Sequence, residues 1–305
     1  MRYLIVTPDD IGSRSYIPLF YAYDLITKAL IAVGPDILSL GKTHNKNGIC
    51  IQQELNDLRP FGITECGENF LIASNTTLYK FNKKDFSLIE EVPIQMFIDT
   101  HQIECVNDTL YVANTGNDTI GIHNKEGSVF FCARTKSIID EPPYSISTYQ
   151  HNQLHLNSIK YNPENNSLYY CLNNNRNKDS DSEFWKLDLE TYEAEFIFSG
   201  GKHAHNIDFF QNNIFTLSSK TGELLVYDVE KETKSFGSIV DPNKLFLKGM
   251  RKIDDNVMTM GVSCHKKAPQ TLNSCAILSL DLRFSQLELL FEIKDCFRIS
   301  DYIIF

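Results

Sequence analysis

The chain has 305 residues, and Lys+Arg 29 against Asp+Glu 39 leave a formal net charge of −10 and an isoelectric point near 5.3. That balance argues against nucleic-acid and polybasic membrane-surface binders, because both need clustered cations to meet phosphate. Hydrophobic residues make up 42% of the chain, which is enough to bury a sizeable core.

The first residues, MRYLIVTPDDIGSRSY, form only a short apolar run before Pro8-Asp9-Asp10. They read as neither a signal peptide nor a spanning helix, and no later stretch approaches about eighteen apolar residues. A soluble cytoplasmic protein is expected, with no nucleic-acid or membrane partner. The segment RYLIVT…PLFYAYDLITKALIAV then reads as part of a strand-rich unit.

Five segments on one plan follow it. They are RPFGITECGENFLIASNTTLYKFNKKDFSLIEEV, HQIECVNDTLYVANTGNDTIGIHNKEGSVFFCA, HLNSIKYNPENNSLYYCLNNN…SEFWKLDLETYEAEFIFSG, HAHNIDFFQNNIFTLSSKTGELLVYDVEKETKSFGSIV and LKGMRKIDDNVMTMGVSCHKK…CAILSLDLRFSQLELLFEI. Equivalent positions Phe61, His101, Asn157, His205 and Lys248 are 40, 56, 48 and 43 residues apart. Gly67-Glu68-Asn69, Asn107-Asp108, Asn212-Asn213 and Asp254-Asp255 supply turn residues between short β-rich runs. A repeat of about 40–50 residues holding four short strands predicts an all-β fold, a six-bladed β-propeller occupying 1–305 as one domain. The lone C-terminal run FRISDYIIF is expected to join the N-terminal strands in one shared blade, which closes the ring.

The eight cysteines contain no C-x-x-C pair, and their smallest gap is 11 residues. Several lie in apolar runs, so buried free thiols are expected. The N-x-S/T sequons at Asn75, Asn107, Asn117 and Asn165 read as turn residues.

Blade starts such as RPFGI, THQIE and AHNID, with bodies such as DTLYVANTGNDTIGIHNKEG and NNIFTLSSKTGELLVYDVEKE, resemble the NHL-repeat and gluconolactonase-like six-bladed propellers. The resemblance covers most of the chain from about residue 58. It implies a fold and leaves function open, since that superfamily holds lactonases, lyases, synthases and non-catalytic binding modules.

The innermost strands are aligned on Ile63, Ile103, Ile159, Ile207 and Met250, and strict alternation along a strand is assumed. Two rings of side chains are then predicted at one mouth of the channel. The nearer ring holds Phe61, His101, Asn157, His205 and Lys248, and the outer one Arg59, Asp99, His155, His203 and Phe246. Neutral imidazoles are the commonest ligands of zinc, copper and iron, so His101, His155, His203 and His205 are the predicted ligands of one divalent transition metal. Asp99 is a candidate general base or acceptor behind a ligand, Arg59 a candidate clamp for a carboxylate or phosphate, and Lys248 a second anion anchor or base. A channel lined by histidines is similar to the peptidyl-hydroxyglycine amidating lyases, in which three histidines hold zinc. The calcium-dependent lactonases use oxygen ligands where this chain offers imidazole.

Two loops are candidate lids, NNNRNKDSDSE (173–183) and VSCHKKAPQTLNS (262–274), the second carrying Cys264 and His265. No P-loop, G-x-G-x-x-G, G-x-S-x-G or H-E-x-x-H occurs, which removes support for nucleotide-driven chemistry and serine hydrolysis. The expected function is a metal-dependent lyase, hydrolase or oxidative enzyme. Its substrate would be a small anionic metabolite or a peptide-derived molecule. The alternative is a non-catalytic propeller that binds a ligand or a protein.

Overall fold

A computed structural model describes residues 3–8, 18–36, 42–44, 50–52, 60–74, 77–93, 99–140, 153–174, 177, 179–264, 274–283, 285–294 and 298–305. Six antiparallel sheets of four or five strands form the blades of a β-propeller, with a separate two-stranded hairpin at Lys42–His44 and Cys50–Gln52. The innermost strands of blades one to five are Gly62–Cys66, Thr100–Val106, Leu156–Asn162, Ala204–Phe210 and Leu245–Lys252. Ile299–Ile304 is the innermost strand of the sixth blade and pairs with Tyr3–Pro8, so the two ends of the chain share that blade as expected. Closure leaves the ring without a free blade.

The turn residues do the work the sequence assigns them. Asn107 and Asp108 take φ of 48° and 61°, the pair of positive values that a type I′ hairpin needs. Apolar residues from facing sheets then fill six core clusters, one in each gap between neighbouring blades. The alignment anchors Ile63, Ile103, Ile159, Ile207 and Met250 are fully buried within these layers, and Tyr302 is their counterpart in the sixth blade.

The channel departs from strict alternation. Pairing registers slip between Thr100 and Ile103, Leu156 and Ser158, His205 and Ile207, and Leu247 and Met250. The sixth blade slips likewise, because Pro8 pairs with Ile299 and Thr7 with Asp301. Each slip is a bulge that re-aims side chains. Consecutive residues such as His101 and Gln102, or Asn157 and Ser158, therefore line the same cavity.

Side chains and backbone amides at the bulges stitch each blade to the next. Ile159 N donates to Gln102 Oε1 (3.1 Å), Asn206 N to Ser158 Oγ (2.7 Å), and Gly249 N to Asn206 Oδ1 (2.7 Å). Cys105 N donates to Thr64 Oγ1 (3.2 Å) and Lys252 N to Asp208 Oδ2 (2.8 Å) in the same sense. Such bonds contribute roughly 1 kcal/mol each and leave no stranded donor at the bulge. Gly249 is required here: its φ is +85°, and a Cβ would stand 2.6 Å from the ring of Tyr302.

Cysteine behaviour is mixed. Cys132 and Cys171 are buried free thiols, as expected, and Cys264 and Cys275 are buried as well. Cys66 and Cys105, on the innermost strands of adjacent blades, instead form a disulfide with Cα atoms 5.6 Å apart. Spacing alone gave no hint of it, because the blade repeat brings together cysteines 39 residues apart. Reduction, or a Cys66→Ser/Cys105→Ser double replacement, is expected to cost about 3–4 kcal/mol by the loop-closure argument for a link of that span. Urea titration with and without reductant checks this, beside a non-reducing digest that keeps the two peptides joined. Among the described residues no helix is long and apolar enough to cross a membrane.

Candidate functional site

Three blades begin with one backbone device. Asp99, His155 and His203 stand two residues before the bulge positions and have φ of 51°, 52° and 50°. Their carbonyls accept bonds from Thr115 N (3.2 Å), Asn173 N (3.1 Å) and Ser219 N (3.4 Å), each at the end of the adjoining strand. This left-handed region disfavours side chains in general but is several-fold enriched in Asp, Asn and His. The outer ring thus has a conformational reason for its residue types besides any chemical one.

Inside that ring, His101 has polar neighbours on two sides. Its Nδ1 lies 2.8 Å from Asn157 Oδ1, and its Nε2 is 3.6 Å from Asp99 Oδ1. Asn157 Nδ2 donates to the Ala204 carbonyl at 3.0 Å, which orients the carboxamide with its oxygen toward His101. Nδ1 of His101 must then carry the proton, and in the neutral ring Nε2 is left as an acceptor. The ring also stacks on Phe61 (5.5 Å) and meets His155 edge-on (5.0 Å).

His205 repeats the arrangement. Its Nδ1 is 2.8 Å from both the His203 carbonyl and Ser219 Oγ. Because a carbonyl can only accept, Nδ1 is again the protonated nitrogen. The His205 ring packs on Phe246 (5.3 Å). Lys248 follows in the next blade and joins His101, Asn157 and His205 around a cavity of about 10 Å³, the size of one water molecule. Gln102 Nε2 and Ser300 Oγ reach the same cavity buried and without a hydrogen-bond partner among the described residues.

The electrostatics keep His155 and His205 neutral. Burial, then the charges of His101, His203 and Lys248, push His155 down to about 3 against the opposing pull of Asp99. Burial, then Lys248 and His101, hold His205 well below its ordinary value. Burial also lowers His123, in the second blade, to about 4. Between those values and the 6.5 of an unperturbed ring, the unfolded chain binds protons that the folded one refuses. Stability is therefore expected to be full above about pH 6.5 and to fall steadily as pH drops toward about 4. Urea midpoints across that range check it, and His155→Gln should flatten the slope.

Of the residues predicted from sequence, Asp99, His101 and His155 stand in one cluster. His203 and Lys248 act on His155 through their charge, and His205 and Lys248 adjoin His101 across the cavity. Arg59 and His265 lie outside the described residues. The described end of the 173–183 loop is tied down: Asp179 accepts from Lys220 (3.2 Å) and, through its carbonyl, from Lys202. Ser182 Oγ accepts from Ala204 N (3.1 Å), at the start of the fourth blade's innermost strand. Sequence reasoning missed Gln102, Ser158 and Asn206, which the bulges turn inward, and Ser300 and Asp301 of the sixth blade. Aligning FRISDYIIF on Tyr302 would have found Ser300, two residues earlier, and would have placed Arg298 level with His155 and His203.

A metal would need three or more donors gathered together. Among the described residues no three His, Cys, Asp or Glu side chains are grouped so as to hold one ion. The four histidines as they stand do not make a ligand set, and Nδ1 of both His101 and His205 is committed to a neighbour.

No protein-family profile matches the sequence, and no curated protein does. Solved structures are similar at the level of fold. A chain of a nidogen–laminin complex aligns with TM-score 0.61 at 9% identity, covering 99% of this chain and 97% of that one. A protein of unknown function from Bacteroides caccae gives 0.61 at 10% identity, over 99% and 98%. A Lactobacillus plantarum protein gives 0.56 at 9% identity, over the full length of both. At such identities the likeness is one of architecture, and the chain is a six-bladed β-propeller.

Proposed function

We propose that the channel mouth built from Asp99, His101, His155, His203, His205 and Lys248 is the functional site, and that it acts on a small anionic metabolite or peptide-derived substrate. The observation that carries this reading is the pair of imidazoles, His101 and His205, whose Nδ1 protons are both pinned, so that their Nε2 atoms are acceptors. Beside them stand the ammonium of Lys248 and the carboxylate of Asp99, with Asp301 in the wall of the same cavity. Lys248 anchors the anion. His101 Nε2 takes a proton from a bound hydroxyl or amide, and Asp99 stabilises the imidazolium that results. The test is thermal and calorimetric titration with phosphate, malonate and succinate. Stabilisation by at least one anion, lost on replacing Lys248, supports the site. Indifference to all three rejects it in favour of a propeller that binds a protein partner.

The second reading is a metal-dependent enzyme of the NHL-repeat and gluconolactonase-like kind. It is favoured by the same Nδ1 bonds to a carbonyl and a carboxamide, the outer contacts that metal-ligating histidines make. Assembly of a ligand set would require side-chain rotation to bring a third donor to His101 and His205. Elemental analysis of untagged protein before and after chelation decides it. Near-stoichiometric zinc, iron or copper that disappears in a His101→Ala/His205→Ala variant selects the metalloenzyme. A cytoplasmic location, expected from the sequence, would keep Cys66 and Cys105 reduced. Thiol labelling in fresh extracts therefore reports the compartment.

A further inference from the structure

The other end of the innermost strands carries charge of both signs. Three residues beyond His101, Asn157, His205 and Lys248 stand Glu104, Lys160, Asp208 and Arg251, alternating acid and base over four consecutive blades. With Glu65 and Lys252 they line a cavity of about 280 Å³. Lys160 and Glu104 pair at 3.0 Å, and Arg251 pairs with Asp301 at 2.9 Å.

These contacts leave valence unspent. The Lys160 ammonium has three hydrogens and gives one to Glu104 Oε1. Arg251 uses one terminal nitrogen on Asp301 and the other on the Met250 carbonyl, which leaves its Nε. Glu104 Oε2 and Glu65 Oε1 receive no donor among the described residues, whereas Asp208 is spent on the amides of Phe209 and Lys252. A purely structural network would close on itself. Here cationic donors and anionic acceptors are left over together beside a space large enough for a small molecule; the largely buried charges of Lys160 and Glu104 favour a partner that answers them, and Glu65 stands at the open rim.

We propose that this cavity binds a small zwitterion of the amino-acid type, its carboxylate on Lys160 and Arg251 and its ammonium on Glu104 and Glu65. A simple anion would meet Glu104, and a simple cation would meet Lys160, so the mixed lining selects for both charges in one molecule. The site is independent of the histidine mouth, which is probed with other ligands and other variants.

The experiment is saturation-transfer NMR on the full-length Lys248→Met chain, which lacks the anion anchor of the histidine mouth, with the standard α-amino acids and glycine betaine, beside propylamine and propionate. Transfer to at least one zwitterion and to neither singly charged control is expected. Binding should weaken tenfold or more in Lys160→Met and in Glu104→Gln, each checked for native circular dichroism. Should Lys160→Met fail to fold, Glu104→Gln carries the test, because it keeps the side chain's shape. Absence of transfer to every zwitterion overturns the proposal. So does equal transfer to the controls, or binding indifferent to a folded variant.

Discussion

Arg251→Met is expected to destabilise the fold by about 3–5 kcal/mol, the cost of leaving one half of a buried ion pair unanswered. At roughly 2–4 °C per kcal/mol for a large domain, the melting temperature should fall by about 10 °C. Arg251 and Asp301 are 2.9 Å apart, with side chains 12% and 2% exposed, and they bind the fifth blade to the blade that closes the ring. Asp301 is also held through its backbone, since its amide donates to Thr7 Oγ1 (3.1 Å) and its carbonyl accepts from that hydroxyl (3.0 Å). Burial already pushes its carboxyl above the usual range, with Arg251 opposing. Without Arg251 the carboxylate is expected to take up a proton, so the variant should recover part of its loss as pH is lowered. The double replacement Arg251→Met/Asp301→Leu should be more stable than Arg251→Met alone, because no buried charge is left stranded. Urea titrations of the cycle at two pH values check both statements.

Lys248→Met is expected to weaken anion binding at the channel mouth by about thirtyfold or more, the effect of losing a charged anchor worth about 2 kcal/mol or more. Lys248→Arg should keep part of the affinity, since the charge survives and its geometry changes. A second readout separates anchoring from mere structure. The charge of Lys248 helps to hold down the protonation of His155 and His205. In Lys248→Met both imidazoles should therefore titrate at higher pH, visible in histidine ring NMR signals. Unchanged titration and unchanged binding together would remove Lys248 from the site.

Much of the fold was legible because a propeller writes its repeat into the chain. The spacing of Phe61, His101, Asn157, His205 and Lys248 marked one structural position in five blades. The anchors one bulge further along are the buried centres of the inter-blade layers. The convergence of His101, His205 and Lys248 followed from that register alone, because equivalent positions in a closed ring must face one axis.

The composition of the site was less legible. Period-2 alternation predicts that Gln102, Ser158 and Asn206 point away from their neighbours, yet the bulges bring both parities into one cavity. A bulge depends on pairing with the adjoining strand, which local sequence does not encode. Asp301 and Ser300 join the ring only when a strand at the C-terminus pairs with one at the N-terminus. The Cys66–Cys105 bridge likewise exists only between neighbouring blades.

Sequence by itself determined the number of blades, the turns that separate their strands and the residues offered to the axis, because these are set by short-range periodicity and backbone preference. Tertiary structure alone decided which nitrogen of His101 and His205 carries the proton, which charges are paired and which carry unspent valence. Each of those depends on distances between blades, and burial there makes a contact of a few ångströms outweigh the ordinary chemistry of the residue.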